Sequence, residues 1–135
     1  MKRTPLKRRS PLRRQSNTPK AKLKRKAFEL AKRFVRERDK VCQAQGADGE
    51  ACGGILNASH IYPEGKYRSM RYDVDNMIGM CYKHHLHWWH KNPIEADNWV
   101  LGYLGREKYN ELRKRSNILR VISDDELREI ITKYS

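Results

Sequence analysis

Apolar residues recur at helical spacing over residues 19–38, and Lys and Arg fill most of the positions between them. The apolar members of this pattern are Leu23, Ala27, Leu30, Ala31 and Phe34. Thr18 followed by Pro19 is typical of a helix start, because threonine caps free N–H groups and proline fits the first turn. The pattern therefore predicts a basic amphipathic helix over residues 20–40.

Residues 41–80 show no helical period and instead predict a hairpin of two short strands. Gly and small polar residues dominate up to residue 58, which is typical of a loop or knuckle, and the first strand is predicted at Ile55–Leu56. A Pro-Glu-Gly turn and a long irregular loop follow. The next apolar run predicts a second strand near Met77–Met80.

Helical periodicity returns after the hairpin. One helix is predicted over residues 81–91, a second from Pro93 onward, and a third within residues 104–117. Ser123 and Glu126 have the spacing of a capping box, which predicts that a last helix begins there. The order of elements predicts an α+β chain that ends in a helical extension.

The net charge of +14 lies entirely in the first part of the chain. Residues 1–40 carry 17 Lys and Arg against 3 acidic residues, whereas residues 41–135 carry 13 of each. Prolines within the repeated basic units of residues 1–19 predict a disordered basic arm. A solubilising tail is the alternative, but such charge density favours contact with nucleic acid. The DNA-binding candidates here are Lys7, Arg8, Arg9, Arg13, Arg14, Lys24 and Arg25.

Composition also narrows the cellular setting. The chain has no apolar run near 18 residues, so no transmembrane span is predicted, and its basic start lacks the apolar segment of a secretory signal. Three cysteines cannot all pair within one chain, which favours a reducing, cytoplasmic setting and metal ligation over disulfides. Three free buried cysteines are the alternative.

Cysteine and histidine spacing predicts a structural zinc site. Cys81 and His84 form a C-x2-H step, from which two side chains can reach one tetrahedral ion. Cys42 and Cys52 can supply the remaining two ligands of a Cys3His site for Zn²⁺. Their separation by nine residues is longer than the usual two to four, so a long ordered loop is needed.

Three further residues stand out around this zinc step: His60 in "ASHI", Asn76 in "DVDN" and His85, close before "HKNP". In this order and spacing the chain resembles the HNH endonucleases, also called ββα-metal or His-Me finger nucleases, and in particular their zinc-bearing phage type. The resemblance covers the basic arm and residues 42–93 well, and the last 40 residues poorly.

The resemblance implies a small ββα-metal core with a zinc knuckle over residues 41–92. The basic helix and a C-terminal helical extension over residues 93–135 would flank it. His60 would be the general base that activates water. Asn76 would orient the loop that carries His60 or help to hold the catalytic metal.

The same resemblance implies a second metal ion, which is catalytic. His85 would bind Mg²⁺, Mn²⁺ or Ni²⁺, with His90 and Asn76 as further ligand candidates, and imidazole ligation favours Mn²⁺ or Ni²⁺. Arg68 and Arg71, in the loop between, could clamp the DNA phosphate. His87 is expected to face solvent or DNA, and the two neighbouring tryptophans are expected to pack inside.

One position departs from the family pattern. Many HNH enzymes carry Asp or His directly before the catalytic histidine as a metal ligand, whereas this chain has Ser59. A hydroxyl is a poor ligand, so a nearby carboxylate such as Asp73 or Asp75, or the substrate phosphate, would have to complete the site.

The sequence therefore predicts a metal-dependent HNH DNA endonuclease that acts in phage DNA recombination or processing. One alternative keeps the chemistry but changes the substrate to branched DNA, either a Holliday junction or a D-loop. Another is a zinc-knuckle DNA-binding protein without catalysis. Both double-stranded and branched DNA stay open as the partner, and so does a homodimer.

Overall fold

The computed structural model describes residues 15–135 and confirms the α+β class. Its elements are α1 Pro19–Asp39, β1 Leu56–His60, β2 Met77–Cys81, a π-helix Lys83–Trp89, α2 Pro93–Leu104, α3 Arg106–Ser116 and α4 Asp124–Tyr134. Two single 3₁₀ turns, Arg68–Met70 and Val74–Asn76, lie in the loop between the strands. Every helix within residues 15–135 is too short or too polar to traverse a bilayer.

Helix α1 begins where the sequence predicts. The Thr18 hydroxyl accepts a hydrogen bond from the backbone N–H of Ala21, and Pro19 occupies the first turn. Ala27, Ala31 and Val35 are buried, because α1 lies against both strands and against α4. The small alanines allow this close approach.

The two strands form one antiparallel sheet, in which Leu56 pairs with Cys81 and His60 pairs with Met77. The predicted first strand at Ile55–Leu56 was placed too early, since Ile55 is exposed and the strand continues to His60. His60 is therefore the last residue of β1 rather than a residue after it. The Asn, Ala and Ser residues of β1 have weak β propensity, so the extended conformation of β1 depends on its pairing with the fully buried β2.

Two charged side chains at the end of α1, Arg38 and Asp39, form hydrogen bonds to β2 and to the turn before it. The Asp39 carboxylate accepts a hydrogen bond of 2.8 Å from the Gly79 N–H, and Arg38 donates to the carbonyls of Val74 and Met77. A Cβ at Gly79 would lie 2.9 Å from the Asp39 Cβ, so glycine is needed for this close approach. These hydrogen bonds hold the end of α1 against the sheet.

The helix predicted over residues 81–91 is a shorter π-helix. The backbone N–H of His90 donates to the carbonyl of His85, five residues earlier, at 3.2 Å. Trp88 and Trp89 are buried, as predicted, and pack edge-on against Trp99 of α2. The π-helix therefore presents both adjacent indoles to the core.

The last helix covers the remaining face of α1. Ser123 and Glu126 form the predicted capping box, with both of its hydrogen bonds present. Leu127 is fully buried against Ala27 and Tyr72. The C-terminal extension therefore closes a second small core on the side of α1 that the sheet does not cover.

Candidate functional site

Four side chains from three separate parts of the chain meet in one cluster. Cys42 follows α1, Cys52 precedes β1, Cys81 ends β2, and His84 lies in the first turn of the π-helix. Their ligand atoms all lie within 4.8 Å of one another. The three sulfurs lie 3.7, 3.6 and 3.1 Å from the Nδ1 atom of His84.

This donor set fits a tetrahedral metal site. With Zn–S and Zn–N bonds of about 2.3 and 2.0–2.1 Å, tetrahedral geometry places sulfur and nitrogen about 3.5 Å apart. The observed separations surround that value. The predicted Cys3His cluster is therefore confirmed as a group that can hold a metal ion such as zinc.

The long spacing between the first two cysteines is accommodated by an ordered loop. Gly46 and Gly49 both adopt φ of +75°, a conformation that favours glycine, and Ala44 is completely buried. Lys83 donates its backbone N–H to the Gly53 carbonyl at 3.0 Å, which holds the second half of the loop beside the π-helix. Cys42 and Cys52 thereby reach the same point in space.

Asp48 is a functional residue that the sequence reasoning missed. Its carboxylate Oδ1 lies 2.8 Å from the Nε2 of His84, on the ring edge opposite the cysteines. Because a carboxylate accepts this proton, Nε2 carries the hydrogen and Nδ1 keeps its lone pair for a metal. The only signal in the sequence was a carboxylate within the loop between two candidate ligands.

The surroundings of Cys81 lower the pKa of its thiol and so favour the thiolate form. Burial raises the pKa of its thiol, but the backbone N–H groups of His84 and Gly53 outweigh that effect and lower the pKa to about 6. The backbone N–H of His84 donates to this sulfur at 3.4 Å. A thiolate is the form that binds metal.

His60 is half-buried and held by two contacts. Its Nε2 lies 3.0 Å from the backbone carbonyl of Arg71, and its ring stacks on Phe28 of α1 with centroids 5.7 Å apart. Since a carbonyl can only accept, Nε2 carries the proton in the neutral ring. Nδ1 is then the atom with a free lone pair.

Asn76 is fully buried, and its side-chain amide is occupied by backbone groups. Its Oδ1 accepts from the Tyr62 N–H at 2.8 Å, while its Nδ2 donates to the carbonyls of Tyr62 and Met70 at 3.0 and 3.3 Å. These bonds close the loop that carries Arg71. The arrangement favours the loop-orienting role predicted for Asn76 over its alternative role as a metal ligand.

His85 and His90 form a close pair. Their Nε2 atoms lie 3.0 Å apart, because the π-helix brings residues five apart onto one face. Burial, followed by the charges of His90 and His60, lowers the pKa of His85 to about 4. His85 is therefore neutral near pH 7, as a metal ligand must be.

The carboxylates considered as replacements for the ligand at Ser59 have other partners. Asp73 and Asp75 both pair with Arg115 of α3, at 3.0 and 3.3 Å. The Ser59 hydroxyl is buried and makes no hydrogen bond. Within residues 15–135, only the Cys3His cluster assembles three or more Cys, His or carboxylate donors, so His85 and His90 stand as a pair.

The predicted DNA-binding residues divide into three groups. Lys24, Arg68 and Arg71 line one cleft of about 710 Å³. Arg25 instead donates to the carbonyl of Ser16. The arm candidates Lys7, Arg8, Arg9, Arg13 and Arg14 lie outside the described residues. Lys24, Arg68 and Arg71 thus lie on one surface. His87 is exposed and packs against Tyr82.

In comparisons with protein-family models, curated proteins and solved structures, nothing matches this chain. The resemblance to HNH endonucleases therefore stays a prediction that rests on the sequence motifs.

Proposed function

We propose that this protein is a metal-dependent DNA endonuclease of the HNH class. The observation that carries the proposal is the fixed tautomer of His60. Asn76 closes the loop through Met70, the adjacent Arg71 carbonyl binds Nε2 of His60, and Nδ1 is left as a base. Two of the three motif positions, His60 and Asn76, are thus connected through the loop between the strands.

In the proposed reaction, Nδ1 of His60 takes a proton from a water molecule. The resulting hydroxide attacks the phosphorus of a DNA phosphodiester, the bond to the leaving oxygen breaks, and that oxygen takes up a proton from solvent. A neutral imidazole suits this role near pH 7, because the ordinary pKa of histidine is about 6.5. Arg71, whose guanidinium lies over the Phe28 ring that stacks on His60, would bind the phosphate.

His85 and His90 are the residues that would hold the catalytic divalent ion. When bound, such an ion neutralises the charge that develops on the phosphate oxygens. The separation of 3.0 Å between their Nε2 atoms matches two neighbouring ligands on one ion, which lie about 3 Å apart when the metal–nitrogen bonds are about 2.1 Å. Two imidazoles favour Mn²⁺ or Ni²⁺ over Mg²⁺.

The same proposal assigns zinc to the Cys3His cluster as a structural ion in a ββα-metal core. The cluster ties together the end of β2, the start of the π-helix and both ends of the long loop. For so small a sheet, a structural zinc can supply on the order of 10 kcal/mol of folding free energy. A cytoplasmic role in phage DNA recombination or processing is part of the proposal.

A zinc-knuckle DNA-binding protein without catalysis is the second candidate. The observation that favours it concerns His85 and His90, which within residues 15–135 have no third His, Cys or carboxylate donor, while Asp73 and Asp75 are bound to Arg115. In that case His60 would be a structural histidine and the basic cleft would bind DNA without cutting it.

Plasmid nicking with added Mg²⁺, Mn²⁺ or Ni²⁺ tests the proposal. We expect His60→Ala to lower the cleavage rate by about 10²–10⁴-fold, which is the usual contribution of a general base. His87→Ala is the matched control, because His87 is exposed and its ring packs against Tyr82.

Cleavage by His60→Ala at the wild-type rate would remove His60 as the base. Absence of cleavage with all three metals, together with intact DNA binding, would establish the binding protein instead. A panel of linear, branched and D-loop substrates then determines which DNA structure is cut.

A further inference from the structure

A basic cleft lies between the start of α1, the loop of residues 64–72 and the connection between α3 and α4. Six of its lining residues are cationic: Lys20, Lys24, Lys66, Arg68, Arg71 and Arg120. Glu64 is the one acidic residue in the described lining. A surface with this charge favours a polyanion.

Half of these cations are free of carboxylate partners. Lys20 lies 4.0 Å from Asp124, Arg71 lies 3.5 Å from Glu64, and Arg120 pairs with Glu126. Within residues 15–135, no carboxylate lies within 4.0 Å of the remaining three, which are Lys24, Lys66 and Arg68. Their charge is available to phosphate groups.

The α3–α4 connection presents two apolar side chains at the edge of this cleft. Leu119 is 90% exposed and Val121 is 84% exposed, and both line the cleft. The connection is anchored on either side of them, since Ser69 donates to the Ile118 carbonyl at 3.3 Å and Ile122 packs into the core around Leu127. The two side chains are thus held outward by a fixed backbone.

We infer that Leu119 and Val121 form a wedge that inserts between stacked bases of DNA held in the basic cleft. Proteins that kink duplexes insert Leu, Ile or Phe between base steps while neighbouring cations hold the phosphates. The inference rests on DNA as the partner in the proposed function, but it does not depend on hydrolysis.

Charge distribution favours DNA over a protein partner. Lys20 lines the cleft from the first turn of α1, and residues 1–14, which precede this helix in the sequence, carry seven Lys and Arg and no acidic residue. Arg71 lines the cleft and its carbonyl binds His60. Bases opened by the wedge would therefore lie in a cleft whose Arg71 also binds the proposed catalytic base.

The test uses short duplexes with 2-aminopurine at successive positions, since the fluorescence of this adenine analogue rises when it loses its stacking partners. We expect saturating wild-type protein to increase the fluorescence severalfold in at least one duplex. The double variant Leu119→Ser/Val121→Ser should abolish the increase while its affinity, measured by anisotropy, falls by no more than about threefold, because the phosphate contacts remain.

Ile94→Ser is the matched control, because Ile94 is 79% exposed but lies on α2, away from the cleft. It should unstack the DNA as the wild type does. Unchanged fluorescence at saturation with wild-type protein in every duplex would overturn the wedge, as would a full increase with the double variant. Unstacking by a protein that cuts no DNA would support the wedge and reject the nuclease.

Discussion

At the scale of single residues, the Cys3His cluster has a carboxylate partner that is not itself one of the four candidate ligands. Asp48 fixes the tautomer of His84 through one hydrogen bond of 2.8 Å. Partners of this kind typically contribute 10–100-fold to metal affinity. We therefore expect Asp48→Asn to weaken zinc binding by about that factor, measured by competition with a chromophoric chelator.

The loop that carries Asp48 offers its own control. Glu50 is exposed and only approaches Lys83, at 3.9 Å, so Glu50→Gln should keep the wild-type affinity for zinc. Equal affinities for Asp48→Asn and the wild type would show that the His84 tautomer is set in another way.

His85 gives the fold a specific pH dependence. Its pKa is about 4 in the folded chain and about 6.5 when unfolded, so the unfolded chain binds more protons between these values. Stability from this group is therefore lost as pH falls from 6.5 toward 4. With an allowance for the partial exposure of the ring, we expect about 1–2 kcal/mol less stability at pH 5 than at pH 7 from this source.

Urea denaturation at both pH values, without a second metal, measures the effect. His85→Gln should show a smaller loss of unfolding free energy between pH 7 and pH 5 than the wild type. His87→Gln, at an exposed position on the same helix, should retain the wild-type dependence. An identical loss in His85→Gln would assign the pH dependence to other groups.

Motif spacing predicts which residues form the Cys3His cluster, but it does not predict which other side chains contact the site residues. The Cys3His set follows from sequence, because the C-x2-H step limits where its partners lie. Contacts across long separations do not follow, such as Asp48 with His84, Phe28 with His60, and Arg115 with the two aspartates that seemed free to bind metal. No local pattern encodes pairs that only the fold brings together.

At the scale of elements, the π-helix is the main departure from the sequence prediction. An α-helix would turn about 100° per residue and place residues five apart on different faces. The wider turn instead brings His85 and His90 together while Trp88 and Trp89 stay buried. Apolar periodicity could not predict it, because the tryptophans pack against Trp99, a contact that only the fold brings together.

Helix α4 has a structural role that the sequence left open. Leu127 is completely buried against Ala27 and Tyr72, so Leu127→Ala removes packing that the surroundings cannot easily refill. We expect a loss of about 2–5 kcal/mol in the free energy of unfolding, measured by chemical denaturation.

Glu129→Ala, at an exposed position of the same helix, should change stability by less than about 0.5 kcal/mol. A loss below about 1 kcal/mol in Leu127→Ala would mean that α4 is not part of the cooperative fold.

At the scale of the whole molecule, the excess positive charge and the proposed metal ligands lie in different parts of the sequence, but the fold brings the two parts together. Residues 41–135 have no net charge and contain every proposed metal ligand, whereas the excess charge lies before residue 41. Helix α1 connects the two, since its first turns line the basic cleft and its Phe28 stacks on His60. The proposed DNA-binding cleft and the proposed catalytic histidine therefore share one element.

The basic residues of the arm should determine how steeply DNA affinity depends on salt concentration. Residues 1–14 contribute seven Lys and Arg, and each phosphate they neutralise steepens the dependence of binding on salt. Replacing all seven with Gln should make the slope of log affinity against log salt shallower by up to about 6, because each contact contributes roughly 0.9. Fluorescence anisotropy across a salt series measures the slope. Arg106→Gln, at an exposed residue that begins α3 and does not line the cleft, is the control and should keep the wild-type slope. An unchanged slope in the arm variant would make the arm a tail without DNA contact.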